Sequence, residues 1–271
     1  MTVKSETVQI PQSLINIQEL ARSLNCTAMA DNLPRFLEQA QKQAFSYSDF
    51  AERLLRAETD ARLERRTARI IKQAKLGTVE DLESFDFLIR PKIEARVIKE
   101  LCACQFIAEK RNVLCLGRPG LGKTRIAKTI GRAACLAGYS VMFVNTAAML
   151  EDLHASVADS SYNRVLRKYQ RPSLIIADEF GYEPFDSDAS KYLFRLVSAR
   201  HGQGSIILTS NAGFQQWKNL FPSEASAVAT VDRLVDRATI LRFTGKGSRK
   251  PKEIYGETLT ESDPGGIDES L

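Results

Sequence analysis

The sequence predicts an α/β protein with a parallel five-stranded sheet between helical layers, preceded by a small all-α domain. Three observations predict it. From about residue 93, short β-branched apolar runs alternate with helical stretches, the pattern of a parallel sheet covered on both faces. Ahead of that point, apolar residues recur only at helical spacing. Between the first apolar run and the helical stretch after it stands Gly117-Arg118-Pro119-Gly120-Leu121-Gly122-Lys123-Thr124, a match to G-x-x-x-x-G-K-[ST].

The elements follow in order. Over 12–44, Leu14, Ile17, Leu20, Ala21 and Leu24, then Met29, Leu33, Phe36, Leu37 and Ala40, keep helical spacing. Pro34 falls inside the second run and is expected to start a helix there or kink one. Ser46 precedes Asp49 by three positions, a helix-start signal, and 48–75 runs without Gly or Pro. Phe50, Leu54, Leu55, Leu63, Ile70 and Ile71 suit one face of that helix. Its second half carries Arg62, Arg65, Arg66, Arg69, Lys72 and Lys75 against Glu64 alone, several of them three or four apart, so a cationic stripe follows one side. Such a stripe is either a solvated face or a contact for phosphate. Gly77 is expected to end the helix, and 78–92 reads as a linker. The helical domain therefore covers 1–77 and the α/β domain 93–250. The five expected strands are 112–117, 139–145, 173–178, 205–211 and 239–243, joined by right-handed crossovers.

With 271 residues, 44% hydrophobic and 26% charged, the composition excludes a disordered or collagen-like chain. No apolar run is long enough to span a bilayer, and the first residues lack a basic start followed by an apolar core. Four of the five cysteines (Cys102, Cys104, Cys115, Cys135) sit in apolar segments and read as reduced and buried rather than as a disulfide framework. The expected compartment is the cytoplasm, with no membrane partner. The net charge of +5 is unevenly placed. Residues 242–252 (RFTGKGSRKPK) hold five basic residues and no acidic one, a segment that meets phosphate or serves as a solvated linker. From 253 onward there are six acidic residues and no basic one, so 251–271 reads as an acidic, disordered tail.

The glycine-rich motif carries the chemistry. Gly120 and Gly122 let the backbone turn its N–H groups inward around phosphate oxygens, and the loop enters a helix whose positive end faces the anion. Lys123 neutralises the β and γ phosphates, and the Thr124 hydroxyl ligates Mg²⁺. The nucleotide-binding set is thus Gly117, Arg118, Pro119, Gly120, Leu121, Gly122, Lys123 and Thr124, with Arg125 next to it. ATP hydrolysis needs a strand that delivers carboxylates, and the apolar run 173–178 ends in Asp178-Glu179. Asp178 then holds the metal and Glu179 polarises the attacking water. This pair disfavours a small-molecule kinase, which transfers to a bound hydroxyl and activates no water. Thr209-Ser210-Asn211 ends the next strand, where Asn211 reaches the γ-phosphate and orients water. Arg233 and Arg237 stand four apart on one face of an expected helix, paired with Asp232 and Asp236 or reaching a nucleotide on an adjacent subunit. His154 and His201 have no visible catalytic partner, Trp217 reads as core, and Cys102-Ala103-Cys104 lacks a second pair for zinc.

In this order and spacing the elements resemble an AAA+ P-loop NTPase, and more narrowly the IstB family of insertion-sequence transposition helper ATPases, relatives of the DnaC helicase loaders. The resemblance rests on FSYSDFAERLLRAETDARLERR, the FDF at 85–87, Asn112-Val113-Leu114 leading into GRPGLGKT, Ile176-Ala177-Asp178-Glu179-Phe180-Gly181, GSIILTSN, Phe214 with Trp217, and Asp232-Arg233-Leu234. It spans about residues 12–249. It implies Lys123 and Thr124 on phosphate and Mg²⁺, Asp178 and Glu179 in hydrolysis, Asn211 as γ-phosphate sensor, and Arg233 or Arg237 acting in trans. The chain departs from the family pattern at Gly247-Ser248-Arg249 and Arg200-His201-Gly202, where Ser-Tyr-Arg and Arg-Tyr-Glu are usual.

The resemblance further implies a DNA-stimulated ATPase that binds duplex DNA without strong sequence preference, forms an ATP-dependent homo-oligomer and stimulates a partner transposase. Arg62, Arg65, Arg66, Arg69, Lys72 and Lys75 then become candidates for backbone phosphate. Two other readings stand beside it: a helicase loader acting on single-stranded DNA, and a nucleotide-gated scaffold that needs no hydrolysis.

Overall fold

The computed structural model describes residues 11–80, 82, 85, 87 and 92–245. The acidic tail and Arg249 lie outside the described residues.

Three helices come first: α1 (Gln12–Ser23), α2 (Thr27–Gln43) and α3 (Tyr47–Ala74). Pro34 neither starts α2 nor ends it. Lacking an N–H, it leaves the Ala30 carbonyl without a helical partner, and Gln18 Nε2 of α1 donates to that oxygen at 2.9 Å. The interruption thereby becomes a tie between the two helices. Ser46 and Asp49 form the expected capping box on α3. The helix closes at Lys75, which takes a left-handed conformation (φ 55°), two residues before the expected Gly77.

Glu58, buried on α3, binds these helices together. Its carboxylate accepts from the Met29 backbone N–H at 3.2 Å, capping an α2 start where Cys26 supplies no side-chain cap. It also accepts from Arg62 Nε at 2.8 Å and Arg65 Nη2 at 3.0 Å. The hydrogen bond from Arg62, ahead of the others, holds the Glu58 carboxyl below its ordinary value.

The rest is a three-layer unit: α4 (Ala95–Cys102), α5 (Gln105–Ala108), β1 (Val113–Gly117), α6 (Lys123–Leu136), β2 (Val141–Asn145), α7 (Thr146–Ala158), α8 (Tyr162–Gln170), β3 (Leu174–Phe180), α9 (Ser187–Arg200), β4 (Ser205–Ser210), α10 (Phe214–Trp217), α11 (Glu224–Val235) and β5 (Thr239–Phe243). All five expected strands are present and pair in parallel, in the order β2-β3-β4-β1-β5. Because strand side chains alternate, Val113, Cys115, Leu174, Ile176 and Ile207 meet α4, α5 and α6 on one face. Leu114, Leu116, Ile175, Ile206 and Leu208 meet α7, α9 and α11 on the other. Ala74 and Leu76, with the flanking Ile70 and Ile71, pack into the α6-side core, so the end of α3 is built into the sheet domain. Cys104, Cys115 and Cys135 are buried and all five cysteines are free; burial pushes the Cys115 thiol up to about 12. Among the described residues, no helix is long and apolar enough to cross a membrane.

Candidate functional site

The site forms at the carboxyl ends of β1, β3 and β4, where ligands of open α/β sheets bind. The loop from β1 to α6 is close-packed at its two outer glycines. A Cβ on Gly117 (φ 151°) would stand 2.2 Å from the Phe243 carbonyl oxygen, and one on Gly122 (φ 89°) 2.7 Å from Phe85 Cε2. Phe85 is buried there and packs edge-on against Phe87, so Phe85 braces the loop. Arg125 pairs with Glu80 at 2.8 Å and its guanidinium lies over the Phe85 ring.

Four of the sequence-predicted residues converge. Lys123 is buried and its Nζ donates to the Gly117 carbonyl at 2.5 Å, the Arg118 carbonyl at 2.8 Å and Asn211 Oδ1 at 2.8 Å. Those three oxygens are uncharged, and phosphate oxygens are stronger partners for an ammonium group. Thr124 Oγ1 donates to Asp178 Oδ1 at 2.8 Å. A hydroxyl and a carboxylate in contact are the hard oxygen donors that suit Mg²⁺, an ion that otherwise keeps waters and phosphate oxygens. The described residues hold no cluster of three or more His, Cys, Asp or Glu able to bind a metal alone.

Glu179 stands apart from Asp178 because of a β-bulge. Strands β3 and β4 pair Ala177 with Leu208 and Phe180 with Ser210, so two residues oppose Thr209. Glu179 takes the left-handed conformation (φ 59°), which costs about 1–2 kcal/mol for a residue with a β-carbon. The extra residue also shifts the phase of the strand. Phe180 falls into the α7–α9 core beside Trp217, while Asp178 reaches α6 and Glu179 projects exposed off the strand.

Two residues to which the sequence reading gave no role hold this arrangement. Thr209, fully buried, donates from Oγ1 to Asp178 Oδ1 at 2.5 Å and accepts from the Glu179 backbone N–H at 3.1 Å. Asn145, at the end of β2, donates from Nδ2 to Glu179 Oε2 at 2.7 Å, while its Oδ1 accepts from the N–H groups of Ala147 and Ala148 at the start of α7. That cap fixes which way the amide faces. Both residues were findable as polar side chains at the carboxyl ends of apolar strands.

Arg233 and Arg237 lie elsewhere. Thr239 pairs with Val113 at the amino end of β1, and Asn112 Nδ2 donates to the Leu234 carbonyl at 3.1 Å. Both arginines therefore sit about one strand length, roughly 16 Å, from their own phosphate loop. They do not share a helix face, as the sequence suggested. The α11 helix ends at Val235, and Arg237 follows in a left-handed turn (φ 53°). Arg233 Nη1 donates to the Ala229 carbonyl, and its guanidinium lies over Phe194. Asp236 pairs with His201 at 2.9 Å, so that histidine has a carboxylate partner after all. All six cations of the stripe are exposed, Arg62, Arg65, Arg66, Arg69 and Lys72 on α3 and Lys75 just past its end, and of these Arg62 and Arg65 are engaged with Glu58.

Comparison with known proteins matches residues 19–254 to the family described as IstB-like ATP binding protein. The chain is 34% identical over 233 residues to the ATP-binding protein of insertion sequence IS5376 from Geobacillus stearothermophilus, covering 86% of this chain and 93% of that one. It is 33% identical over 246 residues to that of IS21 from Pseudomonas aeruginosa, covering 91% and 93%. Among solved structures, the crystal structure of DnaI superimposes with a TM-score of 0.51 at 18% identity, over 62% of this chain and 92% of that one, a likeness of fold.

Proposed function

The chain belongs to the IstB-like ATP binding protein family and has the AAA+ P-loop fold, and from that premise we propose that it is a DNA-stimulated ATPase that assembles on duplex DNA with ATP and recruits or stimulates the transposase of its element. The observation that carries the reading is the meeting of Lys123, Thr124, Asp178 and Asn211 where the start of α6 adjoins the carboxyl ends of β3 and β4, with Glu179 beside them.

Lys123 exchanges its carbonyl partners for the β and γ phosphates. Mg²⁺, held through Thr124 and Asp178, supplies charge neutralisation on the phosphates when bound. Asn211 keeps its Oδ1 on Lys123 and turns its N–H groups toward the γ-phosphate. Glu179 accepts a proton from the attacking water once it leaves Asn145. Arg237 or Arg233 cannot reach its own loop and acts on the nucleotide of a neighbouring copy, which requires a head-to-tail homo-oligomer. The exposed Arg66, Arg69, Lys72 and Lys75, together with Arg62 and Arg65, which also hold Glu58, face backbone phosphates.

Steady-state ATP hydrolysis by wild type and Glu179→Gln, with and without long duplex DNA at two salt concentrations, tests the reading. Stimulation by duplex in the wild type alone, fading as salt rises, is expected. Preference for single strands would favour a helicase-loader role, and hydrolysis absent under all conditions would leave a nucleotide-gated scaffold. Arg233→Ala and Arg237→Ala should separate ATP binding, retained, from ATP-dependent assembly, lost in at least one of them.

A further inference from the structure

The turn that carries Arg237 is held from two sides. From the sheet, the buried Asn112 donates to the Leu234 carbonyl at 3.1 Å, and the Thr239 N–H donates to the Asn112 carbonyl at 2.9 Å. From α9, His201 Nε2 meets the Asp236 carboxylate at 2.9 Å. A carboxylate only accepts, so the imidazole donates Nε2–H, which it carries in one neutral tautomer as well as when charged. A cleft of about 180 Å³, with Glu109, Lys110, His201, Asp236 and Arg237 among its walls, borders the turn here, so open space rather than packed side chains lies beside the tie.

His201 has a rigid mount. Its backbone N–H donates to the Val197 carbonyl at 2.9 Å, and the residue before it, Arg200, is buried and fastened to four carbonyls. The N–H groups of Gln203 and Gly204 both return to the Arg200 carbonyl at 2.9 Å. His201 stands where the family pattern has tyrosine, so an imidazole tie is a feature of this chain.

The two candidate arginines differ in what they are free to do. Arg233 is half-buried, donates to the Ala229 carbonyl at 2.8 Å and lies over Phe194. Arg237 is exposed, and its side chain makes no hydrogen bond or ion pair among the described residues. The carboxylate next to it in the chain, Asp236, is committed to His201. An exposed ion pair of this kind adds little stability, so its weight is in geometry: it fixes one wall of the turn and withholds a competing anion.

We propose that His201 is a positioning residue for the trans-acting arginine: by holding Asp236 it fixes the left-handed turn at Arg237 (φ 53°) and keeps that guanidinium unpaired for the nucleotide of a neighbouring copy. The inference rests on the trans-arginine reading above and assigns that role to Arg237 rather than Arg233.

Steady-state ATP hydrolysis on duplex DNA, with nucleotide affinity measured alongside, tests it. His201→Ala is expected to lower kcat about tenfold at unchanged affinity, less than the loss of order 100-fold for a displacement of about 1 Å, because Asn112 still holds the turn. His201→Gln keeps an N–H donor for Asp236 and should recover most of the rate. The decisive readout is a mixture. Glu179→Gln protein keeps His201 and Arg237, so it lends the arginine without hydrolysing. Mixed in equal amounts with His201→Ala or with Arg237→Ala, it should bring the rate to about a quarter of wild type, since half the sites are competent and half of those meet an intact donor. An Arg237→Ala protein that is fully active, or inactive and not restored in the mixture, refutes the trans-arginine reading at Arg237 itself. If Arg237→Ala is impaired and restored while His201→Ala matches wild type, the His201 tie alone is overturned. A His201→Ala defect that the mixture leaves unrepaired, or a glutamine variant as weak as the alanine, overturns it too, because the defect then lies in the subunit's own packing.

Discussion

Thr209→Val removes one hydroxyl and keeps the side-chain shape, so it isolates what that hydroxyl holds. In the folded protein it donates to Asp178 Oδ1 at 2.5 Å and accepts from the Glu179 N–H at 3.1 Å, with Thr209 and Asp178 both buried. A hydrogen bond to a charged group contributes about 1.5–3 kcal/mol and a neutral one about 1 kcal/mol, so the loss is about 2–4 kcal/mol. A protein of ordinary stability survives that. Hydrolysis should suffer more than stability, because the bulge that aims Asp178 and Glu179 loses its shared reference, and a displacement of about 1 Å costs on the order of 100-fold in rate. The assay pairs urea denaturation with kcat and nucleotide affinity for wild type, Thr209→Val and Thr209→Ser. The serine variant keeps the hydroxyl and should recover most of the rate. A valine variant with kcat within about twofold of wild type would show that the bulge is held by the strand pairing alone.

Asn145→Ala frees the Glu179 carboxylate and should raise DNA-free hydrolysis about two- to tenfold, the worth of one net hydrogen bond; a fall in basal rate would show that Asn145 aims Glu179 instead of restraining it. Glu58 has a lowered folded pKa, so the stability it adds is fully present above the ordinary carboxylate value and is lost as pH falls through the lowered one. Glu58→Gln should therefore lessen the acid-side fall in melting temperature, and an identical acid limb in the variant would count against the Arg62 bridge. Arg200, buried and pushed down to about 10 by burial, donates to the carbonyls of Tyr169, Gln170, Ser173 and Ser205. Arg200→Lys loses two or three of these, about 2–3 kcal/mol, and should lower Tm by roughly 5–10 °C; a shift of a degree or less in calorimetry would refute the clamp.

The strands were legible because buried parallel strands read as continuous apolar runs, and Gly117 to Thr124 because the phosphate cradle demands glycine at fixed offsets. What stayed hidden were long-range substitutions of one group for another. Glu58 caps α2 from another helix, and Gln18 satisfies the carbonyl that Pro34 strands, so neither partner is marked by local spacing. The bulge at Asp178-Glu179 is a two-strand property and leaves no trace in the run itself. Arg237 was misplaced because a left-handed turn at a non-glycine residue carries no local signal.

The placement of α3 has a mechanical consequence. At 28 residues it is about 42 Å long, and its far half carries α1 and α2. Its last turn lies in the same apolar cluster as α6, the helix that grows directly out of the phosphate loop. A tilt of only 5° imposed there would sweep the opposite tip by about 4 Å over that length. Any tilt passed from the loop through α6 would reach the helical front, along one unbroken rod, as a displacement large enough to make or break side-chain contacts there.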